Sequence, residues 1–307
     1  MKGLEEARAC CERYGRPMLR EQFPDYEGRI AVGLAGRGSE CLGFDDELSR
    51  DHDFAPGFCL WLTEEDEARI GLSLRRAYRA LGLGKAAQRN AMAEESRGVH
   101  SIERFYRRYT GSSGAPESWE QWLSLPSYAL AEATSGEVWR DDLGRFTAIR
   151  EALLHGMPED VRLKHLSARL LEMAQSGQYN YGRCLAHGEA GAAMLALSDF
   201  VRAAAQSVYL LNRRHAPYYK WLLRGVEELP RLSDLRPALD FLLTAENDRD
   251  TQSVKQGVVE DLCQAVAREL KAQGLSDGDW DFLEPHAYAV RAKIVNPRLR
   301  AMHPMED

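Results

Sequence analysis

The sequence predicts an α+β protein: a small mixed-sheet domain over residues 1–156, followed by an all-α helical bundle over 157–307. Three observations carry that expectation. In the first half, short apolar runs with strand character are interleaved with helical periodicities. From Pro158 onward only helical spacing is evident. At 307 residues the chain exceeds a typical single domain, so each part can bury its own core.

The elements follow in order. Leu4, Ala7, Cys11, Tyr14 and Met18 recur at helical spacing and predict a helix over 3–23. Arg29 to Leu34 (RIAVGL) reads as a buried strand running into a Gly-rich segment, Ala35 to Ser39. Asp51 to Phe54 and Phe58 to Leu62 read as a second strand region broken by Pro56-Gly57. Thr63 with Asp66 resembles a capping box opening a helix to about Leu81. A strand near Val99 to Ile102, a loop at Gly111 to Pro116 and a short strand at Val138-Trp139 complete the first domain. Helices are expected at about 159–175, 186–214, 217–226, 233–244 and 249–273, divided by Gly177, Pro217 and Pro230. The boundary is placed near residue 156.

Composition narrows the function classes. Apolar residues at 44% and charged residues at 28% describe an ordinary globular chain. A net charge of −7 argues against non-specific duplex binding, which needs a basic surface, but leaves room for one local basic site. The six cysteines form no CxxC pair, so reduced thiols are expected rather than a zinc site. No apolar run approaches the ~20 residues of a membrane span, and the N-terminus lacks a signal-peptide pattern. The expectation is a cytoplasmic protein with no membrane partner.

The informative stretch is GRGSECLGFDDELSRDHDF, residues 36–54. On a strand, Asp51 and Asp53 project from one side with Cα atoms ~6.6 Å apart, while His52 points the other way. Two such carboxylates can share one or two Mg²⁺ ions. Gly38-Ser39 at a strand-to-helix turn offers backbone N–H groups and a hydroxyl to a phosphate. Each half alone is commonly a solvated turn; their order and spacing together give the pattern its weight.

GSECLG followed by Ser49, Asp51 and Asp53 resembles the GSxxxG…S-x-D-x-D signature of the polymerase-β-like nucleotidyltransferase superfamily. DHDFAPGFCLWL, SGQYNYGRC and LLNRRHAPYYKWL resemble phrases of a bacterial family of uncharacterised function within it, over most of the chain. The resemblance implies a metal-dependent transfer of a nucleoside monophosphate from ATP or another NTP to a hydroxyl, releasing pyrophosphate. It makes Asp51 and Asp53 ligands of Mg²⁺ or Mn²⁺ and sets Gly38 and Ser39 against the triphosphate. Many members carry a third acid on a later strand, where this chain has His100. His100 is therefore a candidate base or metal ligand, with Glu103, Glu132 and Glu137 as alternative acids.

A second constellation is basic and aromatic. Residues 200–226 contain Arg202, Arg213, Arg214, Lys220 and Arg224 with no acid, accompanied by Tyr209, Tyr218, Tyr219 and Trp221. The bland reading is a helix surface with scattered arginines and core aromatics. The segment also resembles the helical domain of kanamycin-type nucleotidyltransferases, which makes Lys220 the first candidate for the triphosphate, with Arg214 and Tyr218 behind it. Gln178 to Arg183 reads as a polar, aromatic loop between helices, and Tyr179, Asn180 and Arg183 are candidate contacts to acceptor or phosphate. The expected cleft lies between the two domains. The acceptor (a small molecule, a tRNA end or a protein hydroxyl) and the oligomeric state are not legible.

Three rivals compete. His52-Asp53 could belong to an HD-type phosphohydrolase, but the chain has no upstream histidine to complete that ligand set. Arg150 and His155 could form a HEPN-type RNase pair on a helix. A catalytically degenerate module that binds nucleotide or a partner, antitoxin-like, would keep the fold without the chemistry.

Overall fold

The computed structural model describes residues 2–47, 57–83 and 97–306. The chain is mixed α and β, and it divides into two compact units: residues 1–117 with 125–156, and residues 118–124 with 157–307.

In the first unit, α1 (Gly3–Cys10) runs through a single wide π turn (Cys11–Gly15) into α2 (Arg16–Gln22). The expected unbroken helix over 3–23 is thus interrupted, for two reasons. Pro17 has no N–H to donate to the preceding turn, and the Arg16 N–H instead reaches the Cys11 carbonyl five residues back. Gly15 also lies against the Phe58 ring, where a Cβ would stand 2.4 Å from Cζ. Pro24–Arg29 forms a 3-10 turn, so the first strand, β1 (Ala31–Leu34), starts two residues later than expected.

The one-turn helix α3 (Ser39–Leu42) follows β1, and the chain returns as β2 (Cys59–Leu62). Helix α4 (Glu64–Ala80) is opened by Thr63, whose Oγ1 accepts the Asp66 N–H at 3.2 Å, as the capping pattern predicts. After β3 (Gly98–Ser101) come α5 (Ile102–Thr110), α6 (Ser127–Thr134), β4 (Glu137–Arg140) and α7 (Arg145–His155).

The strands form one mixed sheet in the order β3-β2-β1-β4, with β1 antiparallel to both neighbours and β2 parallel to β3. One face carries Val32, Leu60, Leu62 and Val99 into a core with Met18, Leu19, Leu74 and Phe58. On the other face Trp61 stacks on Phe146 at 4.0 Å and meets Phe105 edge-on at 5.6 Å. Period-two alternation therefore buries both faces, and β1 and β2 are buried along their whole length.

The second unit is helical among its described residues. Its centre is α8 (Glu159–Met173), which continues through a π segment (Ala174–Tyr181) into α9 (Gly182–Ala186). Gly177 was expected to divide two helices, but it lies inside this segment. It permits close packing: a Cβ there would stand 2.3 Å from the ring of Phe200 on α10 (Ala190–Leu211). Beyond come α11 (Tyr219–Val226), α12 (Arg236–Thr244) and α13 (Arg249–Ala272). Two more helices, α14 (Leu283–Ala292) and α15 (Pro297–Ala301), lie in a stretch for which no element was expected. The α14 helix is tied to α8 where Ser167 Oγ donates to the Ala287 carbonyl at 3.1 Å.

Two fully buried groups organise this unit. Lys164 on α8 donates to the carbonyls of His303, Pro304 and Glu306, the first two at 3.0 and 3.2 Å. His286 bridges Ser276 Oγ at 2.8 Å and the Trp280 carbonyl at 3.0 Å, which fixes the turn between α13 and α14. None of the six cysteines is in a disulfide. Among the described residues no helix is long and apolar enough to cross a membrane.

Candidate functional site

The Gly-Ser turn grows out of β1. After Leu34 the backbone passes through Gly36 (φ 112°) and Gly38 (φ 131°), a region that side-chain-bearing L-residues rarely adopt. Gly38 is the N-cap of α3 and Ser39 its first residue, both partly exposed. The helix ends one turn later at Gly43 (φ 76°), whose N–H returns to the Glu40 carbonyl at 3.2 Å. Both outer glycines of GSECLG therefore have a backbone reason to be glycine. A four-residue helix contributes little macrodipole, so an anion here would be held by the N–H groups at its start and the Ser39 hydroxyl.

Two contacts brace the turn from far along the chain. The Ser135 hydroxyl accepts the Gly36 N–H at 3.2 Å and lies 2.7 Å from the Gly36 carbonyl. The Gly136 N–H donates to the Cys41 carbonyl at 2.7 Å. Gly136 has φ 68°, and a Cβ there would meet the Leu34 carbonyl oxygen at 2.0 Å. Arg150 donates to the carbonyls of Ser135 (2.7 Å) and Gly136 (3.0 Å) and holds that corner. Arg150 is thus spent on backbone, while His155 stands exposed beside Glu151, an arrangement that does not favour the RNase pairing.

A buried ion pair, Glu40 with Arg97, joins the turn to the strand entrances. The Glu40 carboxylate lies beneath Gly38, where a Cβ would be 2.6 Å from its Oε2. Arg97 immediately precedes β3 and packs against Gly57, the residue at which the chain re-enters toward β2. The register places these groups at one end of the sheet: Gly33 pairs with Cys59, Cys59 with Gly98, and Leu34 with Glu137. Tyr78 caps this corner, its hydroxyl accepting the Phe58 N–H at 3.1 Å and donating to the Phe58 carbonyl at 2.8 Å. The thiol of Cys59 is pushed up to about 11 by burial, which makes it a packing group rather than a nucleophile.

Asp51 and Asp53, the candidate metal ligands, lie outside the described residues, as do Ser49 and His52. Among the described residues no group of three His, Cys, Asp or Glu side chains is gathered to hold a metal. His100 lies on the edge strand β3 opposite Trp61 and is partly buried. Burial first, then the charges of Arg108, Arg104 and Arg75, push its pKa down to about 4, so the ring is neutral near pH 7. Its Nε2 lies 3.1 Å from the Arg97 carbonyl. A carbonyl can only accept, so Nε2 carries the proton and Nδ1 holds the lone pair a base or ligand needs. Of the alternative acids, Glu132 is paired with Arg37 (3.3 Å), and exposed Glu137 accepts from Trp139 (2.9 Å). Glu103, one turn past β3, keeps a buried Oε2 with no partner among the described residues.

In the second unit Lys220 is exposed, its Nζ 4.9 Å from the Trp221 ring centroid. Arg214 is exposed, and Tyr218 is in ring contact with Tyr219 at 4.4 Å. Arg213, by contrast, is engaged by Glu159 at 2.8 Å. Gln178 to Arg183 is not the expected loop, because its residues belong to the π segment and the start of α9. Arg183 lies over the Tyr179 ring at 4.9 Å and donates to its hydroxyl at 3.1 Å. Tyr181 is buried and donates to Asn247 at 2.9 Å, a packing role. The Glu40–Arg97 pair and the Ser135-Gly136 brace were not foreseen. Ser135-Gly136 between a helix and a strand is a readable turn signal, but its partner is not.

A family model described as a domain of unknown function (DUF4037) matches residues 122–222, about a third of the chain. The match includes Arg183, Arg214, Tyr218 and Lys220 and stops short of the Gly-Ser turn. Comparison with curated proteins and with solved structures returns no match.

Proposed function

We propose that the protein is a metal-dependent nucleotidyltransferase. The first unit would be its catalytic domain and the helical second unit its nucleotide- and acceptor-binding domain. The reaction joins an acceptor hydroxyl oxygen to the α-phosphorus of ATP or another NTP and breaks the bond to the leaving pyrophosphate. Asp51 and Asp53 would hold Mg²⁺ or Mn²⁺, for which paired carboxylate oxygens are the right hard donors. The metal, when bound, neutralises charge on the attacking and leaving oxygens. Gly38 and Ser39 would receive the phosphates, and His100, neutral with its lone pair on Nδ1, would act as base or ligand where related chains carry an acid.

One observation supports this reading above the rest. The Gly-Ser turn is built with left-handed glycines at the sheet end where β1 leaves, and the buried Glu40–Arg97 pair stitches it to Gly57, the entrance of β2. The turn that would receive phosphate is thereby held near Gly57, which favours the reading without testing it.

The test is binding, then turnover. Wild type should bind ATP in a Mg²⁺-dependent manner and release pyrophosphate when supplied with an acceptor-containing extract. D51A/D53A should lose the metal dependence while keeping its thermal midpoint. Metal-dependent binding that persists undiminished in the double variant would refute the assignment.

A further inference from the structure

The segment that carries the Gly-Ser turn shows little of itself to solvent. Across residues 31–44 every residue is buried or half-buried except Arg37, which is exposed. Gly38 and Ser39 follow it, both partly exposed. Arg37 therefore heads the accessible run Arg37-Gly38-Ser39, and its side chain is the one charge which that run presents.

The backbone beneath this side chain is fixed. Arg37 stands between Gly36 (φ 112°) and Gly38 (φ 131°). The Ser135 hydroxyl engages both the N–H and the carbonyl of Gly36, and the Tyr109 hydroxyl covers the same residue, 2.7 Å from where a Cβ would stand. The Cys41 thiol is directed at the Arg37 carbonyl, 3.9 Å away. In contrast, 62% of the Arg37 side chain is open to solvent. The largely buried carboxylate of Glu132 takes Nε alone, at 3.3 Å. Nη1 and Nη2 have no partner among the described residues. An exposed, single-contact pair of this kind contributes little to stability, so it orients the guanidinium more than it anchors the fold.

We infer that Arg37 is a phosphate-binding residue, contributing most to the longest phosphate chain. The inference rests on the proposed function, which sets the phosphates against Gly38 and Ser39, and it supplies the charge that such a site needs. Helix α3 is one turn long and offers little dipole. The Arg97 cation is matched by Glu40 in their buried pair. Arg37 is joined to Gly38 and lies one residue from Ser39, so its guanidinium stays within a side chain's length of the turn. The planar Nη fork fits paired oxygens on a phosphate, and its bonds are charge-assisted. Its attraction grows with the charge of the ligand, which favours a triphosphate over a monophosphate.

Isothermal titration calorimetry of the full chain, with Mg²⁺ present and ATP, AMP and inorganic tripolyphosphate as ligands, tests the inference. Wild type should take ATP and tripolyphosphate more tightly than AMP. R37Q should weaken both about tenfold or more, the scale of one charge-assisted hydrogen bond, with AMP weakened less than about threefold and the thermal midpoint unmoved. R37K, which keeps the charge but not the fork, should fall between wild type and R37Q. Undiminished binding of ATP and tripolyphosphate by R37Q would overturn the inference and leave the transferase reading standing. An equal loss across all three ligands would overturn it too, since the turn rather than the fork would then have been disturbed. Tripolyphosphate binding that needs Arg37, in a protein that ignores ATP, would keep Arg37 as a phosphate contact and remove the transferase reading. Binding of neither would remove both.

Discussion

His100 shows how a single side chain is tuned by what surrounds it. Burial and three guanidiniums disfavour its charged form, shifting it from the ordinary 6.5 to about 4. Between those values the unfolded chain holds a proton that the folded chain does not. Acid therefore favours unfolding across that window: the contribution to stability is intact above about 6.5, declines as pH falls toward about 4, and declines no further below it. H100Q should flatten this segment of the stability profile, read as urea midpoints at pH 7, 6, 5 and 4.5. An unchanged slope would mean that the folded imidazole titrates normally. Nothing in Gly98-Val99-His100-Ser101 announces this shift, because the cations responsible sit on α4 and α5.

Among the elements, the helices show where sequence periodicity informs and where it misleads. Thr63 and Asp66 announced the start of α4, and the apolar runs announced β1, β2 and β3, because capping and alternation are local physics. The π segments were missed because part of their cause is tertiary, although Pro17 contributes locally to the first. Gly15 is answered by Phe58 and Gly177 by Phe200, residues distant in sequence. Gly177 was read as a helix breaker, whereas it serves to bring α8 and α10 together. G177A should therefore destabilise the protein despite the better intrinsic helix propensity of alanine. The penalty should be about 1–3 kcal/mol of overpacking against the Phe200 ring, visible in calorimetry. A gain in midpoint would show that the glycine acts through backbone freedom rather than contact. G177A/F200L should recover part of the loss.

For the molecule as a whole, the coarse architecture was legible: mixed elements first, helices alone afterwards. The candidate site was legible in outline only. The strand-to-helix turn at Gly38 and Ser39 could be found by its spacing, but the Glu40–Arg97 pair and the Ser135-Gly136 brace depend on distant segments converging. Asp51 and Asp53 lie outside the described residues. Helices α14 and α15 went unforeseen because their apolar spacing is short and Pro285 and Pro297 read as breaks, whereas both lie in first helical turns, where proline is tolerated. Long-range closure is clearest at Lys164, whose buried ammonium gathers carbonyls of residues 303–306. K164M should cost about 1–3 kcal/mol, since those carbonyls can turn to water once released. Hydrogen exchange should accelerate over residues 303–306 and leave α10 unchanged. Uniform acceleration across the second unit would show instead that the lysine supports the whole core.

The brace on Gly36 comes from a residue 99 positions further on. During synthesis, the glycine turn must emerge from the ribosome well before the hydroxyl that fixes it. Until Ser135 and Gly136 are available, positive-φ glycines are free to wander, and nothing holds the Cys41 carbonyl in place. The Gly-Ser corner is then among the last features of the first unit to take shape, and a nascent chain stalled at its hundredth residue would carry the motif without its geometry.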